Sequence, residues 1–288
     1  MKTKPNERSP VNAIVAVISL TLSAFAADET GDIYGSGRNV FSLATGSPGE
    51  LGLLKLLADE FGRRADAQMR WVKAGTGASL KLLQDKKVDM AMVHAPGQVE
   101  KALKEGWAVG KTLIGSNEFY IVGPKNDPAN IAGASSAADA YRRIAAAKSP
   151  FVSRGDNSGT YQKEMQVWQQ ARIQPEGGWY IVTKDFMTAS LKRANSERAY
   201  FMSDSSTWIM EKSVAPELTI LYRGDKFLVN TYHALVAPAG GTPGRDTAER
   251  FVAFVASGDG QKIIADYGRD RFGEGLYNDA AYAKQYDH

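Results

Sequence analysis

Cysteine is absent from this chain, and histidine occurs three times in 288 residues. The first absence excludes disulfides, thiol catalysis, cysteine-based metal sites and a lipid-modified cysteine. The second leaves His94, His233 and His288, too far apart for an H-E-x-x-H helix, and no EF-hand loop is found either. An excess of one charge is also lacking: 35 Lys+Arg face 32 Asp+Glu, a formal +3 spread without a basic block. Nucleic acid is therefore not implied as a partner. After Ala26 there is no apolar run of the length a spanning helix needs.

What is present is ordinary for a globular protein, with 43% hydrophobic and 23% charged residues. The length exceeds one compact core and fits two modest domains or one two-lobed unit, large enough to fold without disulfides. Lys2, Lys4 and Arg8 precede an apolar and hydroxylated run from Ala13 to Ser23, and Ala24-Phe25-Ala26 has the small-x-small form of a cleavage site. Residues 1–26 are thus read as a signal peptide, which predicts an exported, periplasmic chain. Polar, glycine-rich residues 27–38 are read as a flexible leader.

Beyond the leader, apolar runs alternate with glycine-bearing loops and helical periodicity. Asn39 to Thr45 predicts a strand, and Glu50 to Arg64 a helix with Leu53, Leu54, Leu57 and Phe61 on one face. Met69 to Lys73 predicts a second strand, followed by Gly75-Thr76-Gly77 and a helix through Leu80, Leu82 and Leu83. Val88 to Val93 is nearly all apolar, as a strand buried on both faces should be. This repeat is the grammar of an open parallel α/β sheet. Asn117 to Val122 predicts a strand that leads into a second lobe, and Thr231 to Pro238 one that returns. The expected fold is α/β and two-lobed, with a ligand cleft between the lobes. Residues 39–121 begin lobe 1, 122–230 form lobe 2, and 231–288 complete lobe 1.

The chemically richest stretch is Phe151-Val-Ser-Arg154-Gly-Asp-Asn-Ser158-Gly-Thr160, an apolar strand end running into a donor-rich loop with a helix from Tyr161. Unpaired N–H groups and the helix dipole point at whatever sits at such a helix start, which makes it an anion cradle. Arg154 adds a guanidinium fork suited to an oxyanion. Thr45, Ser47 and Thr76 lie on loops between predicted strands and helices, where an α/β sheet places its ligands. The plainer reading of Ser47 and Thr76 is helix capping. For Arg154 with Thr160, anion binding is preferred.

Other readings carry less weight. Arg154-Gly155-Asp156 is the adhesion tripeptide, but on a strand-to-helix loop Asp156 reads as a turn or cap residue. Ser158 lacks the glycines two before and two after that a nucleophile elbow needs, and no motif sets a histidine beside it, so a secreted serine hydrolase is a remote alternative. Gly75-Thr76-Gly77 is half a dinucleotide fingerprint, with Leu80 where the third glycine belongs. His94 is expected as a buried, hydrogen-bonded structural residue. Trp71, Trp168, Trp179 and Trp208 are expected in the core. No catalytic residue, metal ligand or cofactor is assigned.

Six segments carry a family resemblance: Ala74–Ala78, Val88–Pro96, Asn117–Pro124, Ser153–Thr160, Met187–Leu191 and Asn230–Pro238. With them the chain resembles the tungstate-binding proteins of ABC importers over roughly residues 38 to 275. The resemblance implies a type II periplasmic binding fold that closes on a tetrahedral oxyanion, tungstate first and molybdate next, and presents it to a permease in the inner membrane. It assigns Arg154 and Thr160 as anion contacts from lobe 2, and the first loop, with Thr45 and Ser47, and the Gly75-Thr76-Gly77 loop from lobe 1; Ser158 is expected to join them from lobe 2. A monomer suits such a carrier. The family's first loop is a run of threonines followed by serine; here it reads Ala44-Thr45-Gly46-Ser47-Pro48-Gly49, and Pro48 removes a backbone donor. That departure leaves another oxyanion or a small carboxylate as the alternative ligand. Without a carboxylate acceptor the site should disfavour protonated phosphate. No feature separates docking on a permease from docking on a receptor.

Overall fold

The computed structural model describes Met1 and residues 31–287; residues 2–30, which carry most of the expected signal peptide and the start of the leader, lie outside the described residues. The strands are β1 (Asp32–Tyr34), β2 (Asn39–Thr45), β3 (Ala67–Lys73), β4 (Met90–Val93), β5 (Val109–Pro124), β6 (Phe151–Ser153), β7 (Tyr180–Val182), β8 (Tyr200–Asp204), β9 (Leu218–Tyr222), β10 (Val229–Val236) and β11 (Asn278–Asp279). The helices that position the site are α1 (Ser47–Glu50), α2 (Leu53–Ala65), α3 (Thr76–Gln84), α4 (Pro96–Lys104), α5 (Ala137–Ala147), α6 (Gly159–Ala171), α7 (Met187–Glu197), α8 (Ser205–Glu211), α9 (Arg245–Val255) and α10 (Gly258–Asp266).

Two parallel cores set up the two lobes. β2 pairs in parallel with β3 and β4, and β6 does the same with β7 and β8. Antiparallel β10 and β5 join them into one sheet of order β1-β3-β2-β4-β10-β5-β8-β6-β7. β5 spans 16 residues. Its first half pairs with β10 and β11 and its second half with β8 and β9, so it belongs to both lobes. The chain crosses within this strand, near Asn117 and Glu118, where the β10 register ends at Asn230 and Val229.

Each lobe has helices on both faces of its sheet, because alternate side chains of a strand point to opposite faces. In lobe 1, Leu43, Met90 and Met92 pack with Leu54, Leu57, Phe61 and Phe251 of α2 and α9. Their neighbours Ala44, Ala91 and Val93 face Leu80, Leu83 and Val99 of α3 and α4. In lobe 2, Phe119, Ile121 and Phe151 meet Tyr141 and Trp168 on one side. Tyr120, Val122 and Val152 meet Met187, Leu191 and Trp208 on the other. Trp71, Trp168 and Trp208 are buried, and Trp179 packs edge-on against Trp168.

The structure departs from expectation in four places. Asp32–Tyr34, expected in the flexible leader, form an edge strand on β3, and Tyr34 stacks on Trp71. Three residues are too few to show a period, so only the partner strand reveals them. The helix expected over Glu50 to Arg64 is α1 and α2, separated at Gly52 with its φ of 89°. β5 begins at Val109, not at Asn117, because Gly110, Lys111 and Gly115 obscure the alternation of its first half. α4, β9 and β11 have no counterpart in the sequence expectation; short elements of mixed composition give weak periodicity.

Candidate functional site

The carboxyl ends of the parallel strands in both lobes converge on the cleft, as they do in open α/β sheets. On the lobe 1 side, Thr45 closes β2. Its backbone oxygen accepts from Ala74 N at 3.1 Å and from Trp71 Nε1 at 3.0 Å, which ties the first loop to the second. Its hydroxyl donates to Met92 O at 2.8 Å, so that proton is already used. Thr76 opens α3 and is 3% exposed, yet its Oγ1 has no hydrogen-bond partner. The N-cap, Gly75, has no side chain to satisfy the first-turn N–H groups. A buried orphan hydroxyl beside uncapped N–H donors is costly unless something accepts from them.

On the lobe 2 side, Arg154 follows β6 and is 4% exposed. Its Nε and Nη2 donate to Asp156 Oδ2 at 3.1 and 2.5 Å, and Asp156 Oδ1 accepts from Ser158 N at 3.1 Å. Gly155 and Asn157 take left-handed φ values of 59° and 57°, which curl the loop around this carboxylate. Asp156 is therefore more than a turn residue, and the site does contain a carboxylate, although both its oxygens are engaged. Ser158 caps α6, its Oγ accepting from Tyr161 N at 3.2 Å, so its own proton stays available. Thr160 Oγ1 lies 3.6 Å from Met187 Sδ, a weak acceptor that a stronger one would displace.

The two sides touch. A Cβ on Gly75 would stand 3.5 Å from Ser158 Cβ, Gly77 abuts Asn157, and Gly159 lies directly on the His94 imidazole. The N-termini of α3 and α6 thus approach each other from opposite lobes, and their positive dipole ends reinforce the charge of Arg154. Lys73 Nζ, from lobe 1, sits 4.3 Å from the centroid of the Phe186 ring in lobe 2. The Arg154 guanidinium lies 5.4 Å from the same centroid. Of the six residues expected at the site, Thr76 and Ser158 lie on loops in contact. Arg154 and Thr160 share the loop and helix start with Ser158, and Thr45 joins through Ala74. Ser47 stands half-exposed at the start of α1.

A polar chain, half-buried at His94 and buried from Asn230 onward, runs from the site to the crossover strands. His94 Nδ1 meets Asn230 Oδ1 at 2.9 Å, and Asn230 Nδ2 donates to Asn117 Oδ1 at 2.7 Å. Asn117 Nδ2 donates to Ser206 Oγ at 2.9 Å and Asp204 Oδ1 at 3.2 Å. Burial, and then the charges of Arg154 and Lys163, push His94 down to about 4 against the opposing Asn230 bond. His94 is the hydrogen-bonded structural residue expected, and it is neutral near pH 7. One turn beyond Thr160, Glu164 is buried and accepts from Tyr180 OH at 2.6 Å and Trp168 Nε1 at 3.2 Å. Burial pushes it up to about 7. The Tyr180 oxygen, its single proton given to Glu164, also hydrogen-bonds Ser153 Oγ at 2.9 Å as acceptor, so this group braces the strand end that carries Arg154.

Lys73, Phe186, Asn157 and Glu164 escaped the sequence reading. Glu164 had a signal, a lone carboxylate four residues before Trp168 on an otherwise packed helix face. The others are defined by a contact across the cleft, which no local pattern encodes.

A family model described as a PBP superfamily domain matches residues 32–259. The tungstate-binding protein TupA of Peptoclostridium acidaminophilum is 30% identical over 243 residues, 83% of this chain and 85% of that protein. Among solved structures, the tungstate ABC transporter from Geobacter sulfurreducens is 34% identical with a TM-score of 0.73, covering 81% of this chain and all of that one. The tungstate-binding protein TupA from Desulfovibrio alaskensis G20 is 34% identical with a TM-score of 0.69, covering 83% of this chain and 98% of that one.

Proposed function

The chain belongs to the PBP superfamily, and on that premise we propose that it is the solute-binding component of an ABC importer, capturing tungstate between its lobes. The observation that carries this reading is the meeting of the α3 and α6 N-termini around a buried guanidinium and an orphan hydroxyl, Thr76 Oγ1. A dianion supplies the acceptor that Thr76 Oγ1 and the first turn of α3 lack, and adds one to a guanidinium already paired with Asp156. Its contacts with both lobes would stabilise the closed arrangement over the open one, which is how capture works without chemistry. Arg154, Ser158, Thr160 and Thr76 are proposed as direct donors. Thr45 is proposed to shape the wall, its proton being held by Met92 O, and Ser47 to complete it from α1.

Molybdate is the second ligand of choice, having the same shape and charge. Sulfate and phosphate should bind less well, for a reason of geometry: a cavity sized for a larger tetrahedron leaves some of their oxygens unpaired. The similarity to transport proteins supports periplasmic residence and delivery to a permease, and does not favour a small-carboxylate binder or a hydrolase. We infer a monomer.

Titration calorimetry of the full chain against tungstate, molybdate, sulfate and phosphate tests the reading. Tungstate should bind with one site per chain, and Arg154→Ala should weaken it by several tens-fold or more, roughly the scale of lost charged hydrogen bonds. No heat with tungstate from folded, anion-free protein would reject the proposal.

A further inference from the structure

We propose that a cavity beside the crossover strands is a second ligand site, built for a small organic anion. It encloses about 500 Å³ and is lined by Lys163 and Lys226, by Phe227, Pro96 and Tyr286, and by Asn230 of β10. None of the six residues of the oxyanion site lines it. His94, which packs on Gly159, also lines it, so it adjoins the closed lobe contact. Its volume falls within the range of small-molecule sites.

The charge balance is one-sided. Two ammonium groups line the cavity and, among the described residues, no carboxylate does. Lys163 is half-buried, and burial lowers its pKa. Its Nζ donates to Phe227 O at 2.9 Å and stands 4.3 Å from the centroid of the Phe227 ring. The charge of Asp225 acts on it without forming an ion pair. An ammonium carries three donors, and one carbonyl satisfies one of them. A partly desolvated cation lacking a paired anion is costly, and an anionic head group would relieve that cost.

The remaining walls decide the class of anion. Phe227, Pro96 and Tyr286 offer apolar surface that an inorganic ion would leave uncovered, whereas an aryl or alkyl body would pack on it. The ligand is therefore a carboxylate or phosphate monoester with an apolar body. Because the cavity takes residues from α6 of lobe 2, from the crossover strand and from Pro96 of lobe 1, its shape depends on how the lobes meet. A ligand fitted to the closed form and an oxyanion in the cleft must then strengthen each other's binding.

The test is ligand-observed NMR on the full chain with phenyl phosphate, phenylacetate and inorganic phosphate as probes, each with and without saturating tungstate. Saturable binding of phenyl phosphate or phenylacetate is expected, and saturating tungstate should tighten it. Lys163→Gln and Lys226→Gln should each weaken it about tenfold or more, the scale of one charged hydrogen bond. Inorganic phosphate should bind at least about tenfold more weakly, given the apolar area it leaves exposed. Lys226 is exposed, so Lys226→Gln reports even if Lys163→Gln fails to fold. The proposal is overturned by no saturable binding, by displacement with tungstate, by binding that survives loss of both lysines, or by equal binding of inorganic phosphate.

Discussion

Lys73 of the first lobe holds its ammonium 4.3 Å from the ring centroid of Phe186 in the second, while Glu50 pairs with the same ammonium at 2.6 Å. Arg154 lies 5.4 Å from that ring, so one aromatic group touches both the charge of the site and the opposite lobe. The contact bridges the two lobes, so separating them would break it. A partly desolvated cation–π pair contributes about 1 to 2 kcal/mol. Phe186→Leu should therefore speed tungstate release about five- to thirtyfold with little change in association rate. Phe186→Tyr should restore it. Stopped-flow kinetics would decide, and an unchanged off-rate in the Leu variant would remove Phe186 from closure.

Thr76 makes a prediction in which two measured quantities move in opposite directions. Its buried Oγ1 has no hydrogen-bond partner among the described residues. Thr76→Val keeps the shape and deletes the unsatisfied group, so the anion-free chain should unfold at an equal or higher temperature, by about 1 kcal/mol of added stability at most. The same change removes a donor to the anion, and affinity should fall about tenfold. A loss of stability together with unchanged affinity would show that the hydroxyl serves the fold and not the ligand.

Much of this fold is legible in the amino-acid sequence. β2 is legible residue for residue, because N-V-F-S-L-A-T is bounded by a glycine turn, and the donor-rich composition of Ser153–Thr160 marks the turn from β6 into α6. What stayed hidden shares one cause. β1 exists only as a partner to β3, the first half of β5 only between β10 and β11, and Phe186 matters only through Lys73 and Arg154. Each depends on pairing between segments far apart in sequence, whereas periodicity and caps report on neighbours. Thr45 ends β2 as its sequence implies, but its hydroxyl bond to Met92 O cannot be inferred from its own loop.

Gly159 tests closure directly. It begins α6 and lies on the His94 ring, which is fixed by Asn230 and packs on Tyr232 with 4.9 Å between centroids. A methyl group there has nowhere to go while the lobes are shut, yet it costs neither lobe its own core. Gly159→Ala should leave the unfolding temperature of the anion-free chain nearly unchanged and weaken tungstate by about tenfold or more, as the closed population falls. Small-angle scattering should show the variant staying extended when tungstate is added. Normal compaction at normal affinity would mean that His94 yields.

Glu164 and His94 give stability opposite pH dependences, and single substitutions should separate them. The Glu164 carboxyl, ordinarily at 4.5, is pushed up to about 7 by burial. Between those values the folded chain holds a proton that the unfolded chain has released, so this contribution is complete below 4.5 and is lost as pH rises through 7. The imidazole of His94, ordinarily at 6.5, is pushed down to about 4, so its contribution is complete above 6.5 and is lost as pH falls toward 4. Each shift corresponds to about 3 kcal/mol over its window. The windows overlap, so in the native chain the two slopes largely cancel between about pH 4.5 and 6.5. Glu164→Gln, which keeps an acceptor for Tyr180 and Trp168, should expose the His94 slope, with stability rising with pH. His94→Gln should expose the reverse, with stability falling as pH rises to 7. His94 is covered on one side by Gly159 of the other lobe, so lobe opening relieves part of its penalty. The slope in Glu164→Gln should accordingly be the shallower of the two. Urea unfolding at half-unit intervals from pH 4.5 to 8 measures both, and parallel profiles for the native chain and Glu164→Gln would show that Glu164 does not titrate in this range.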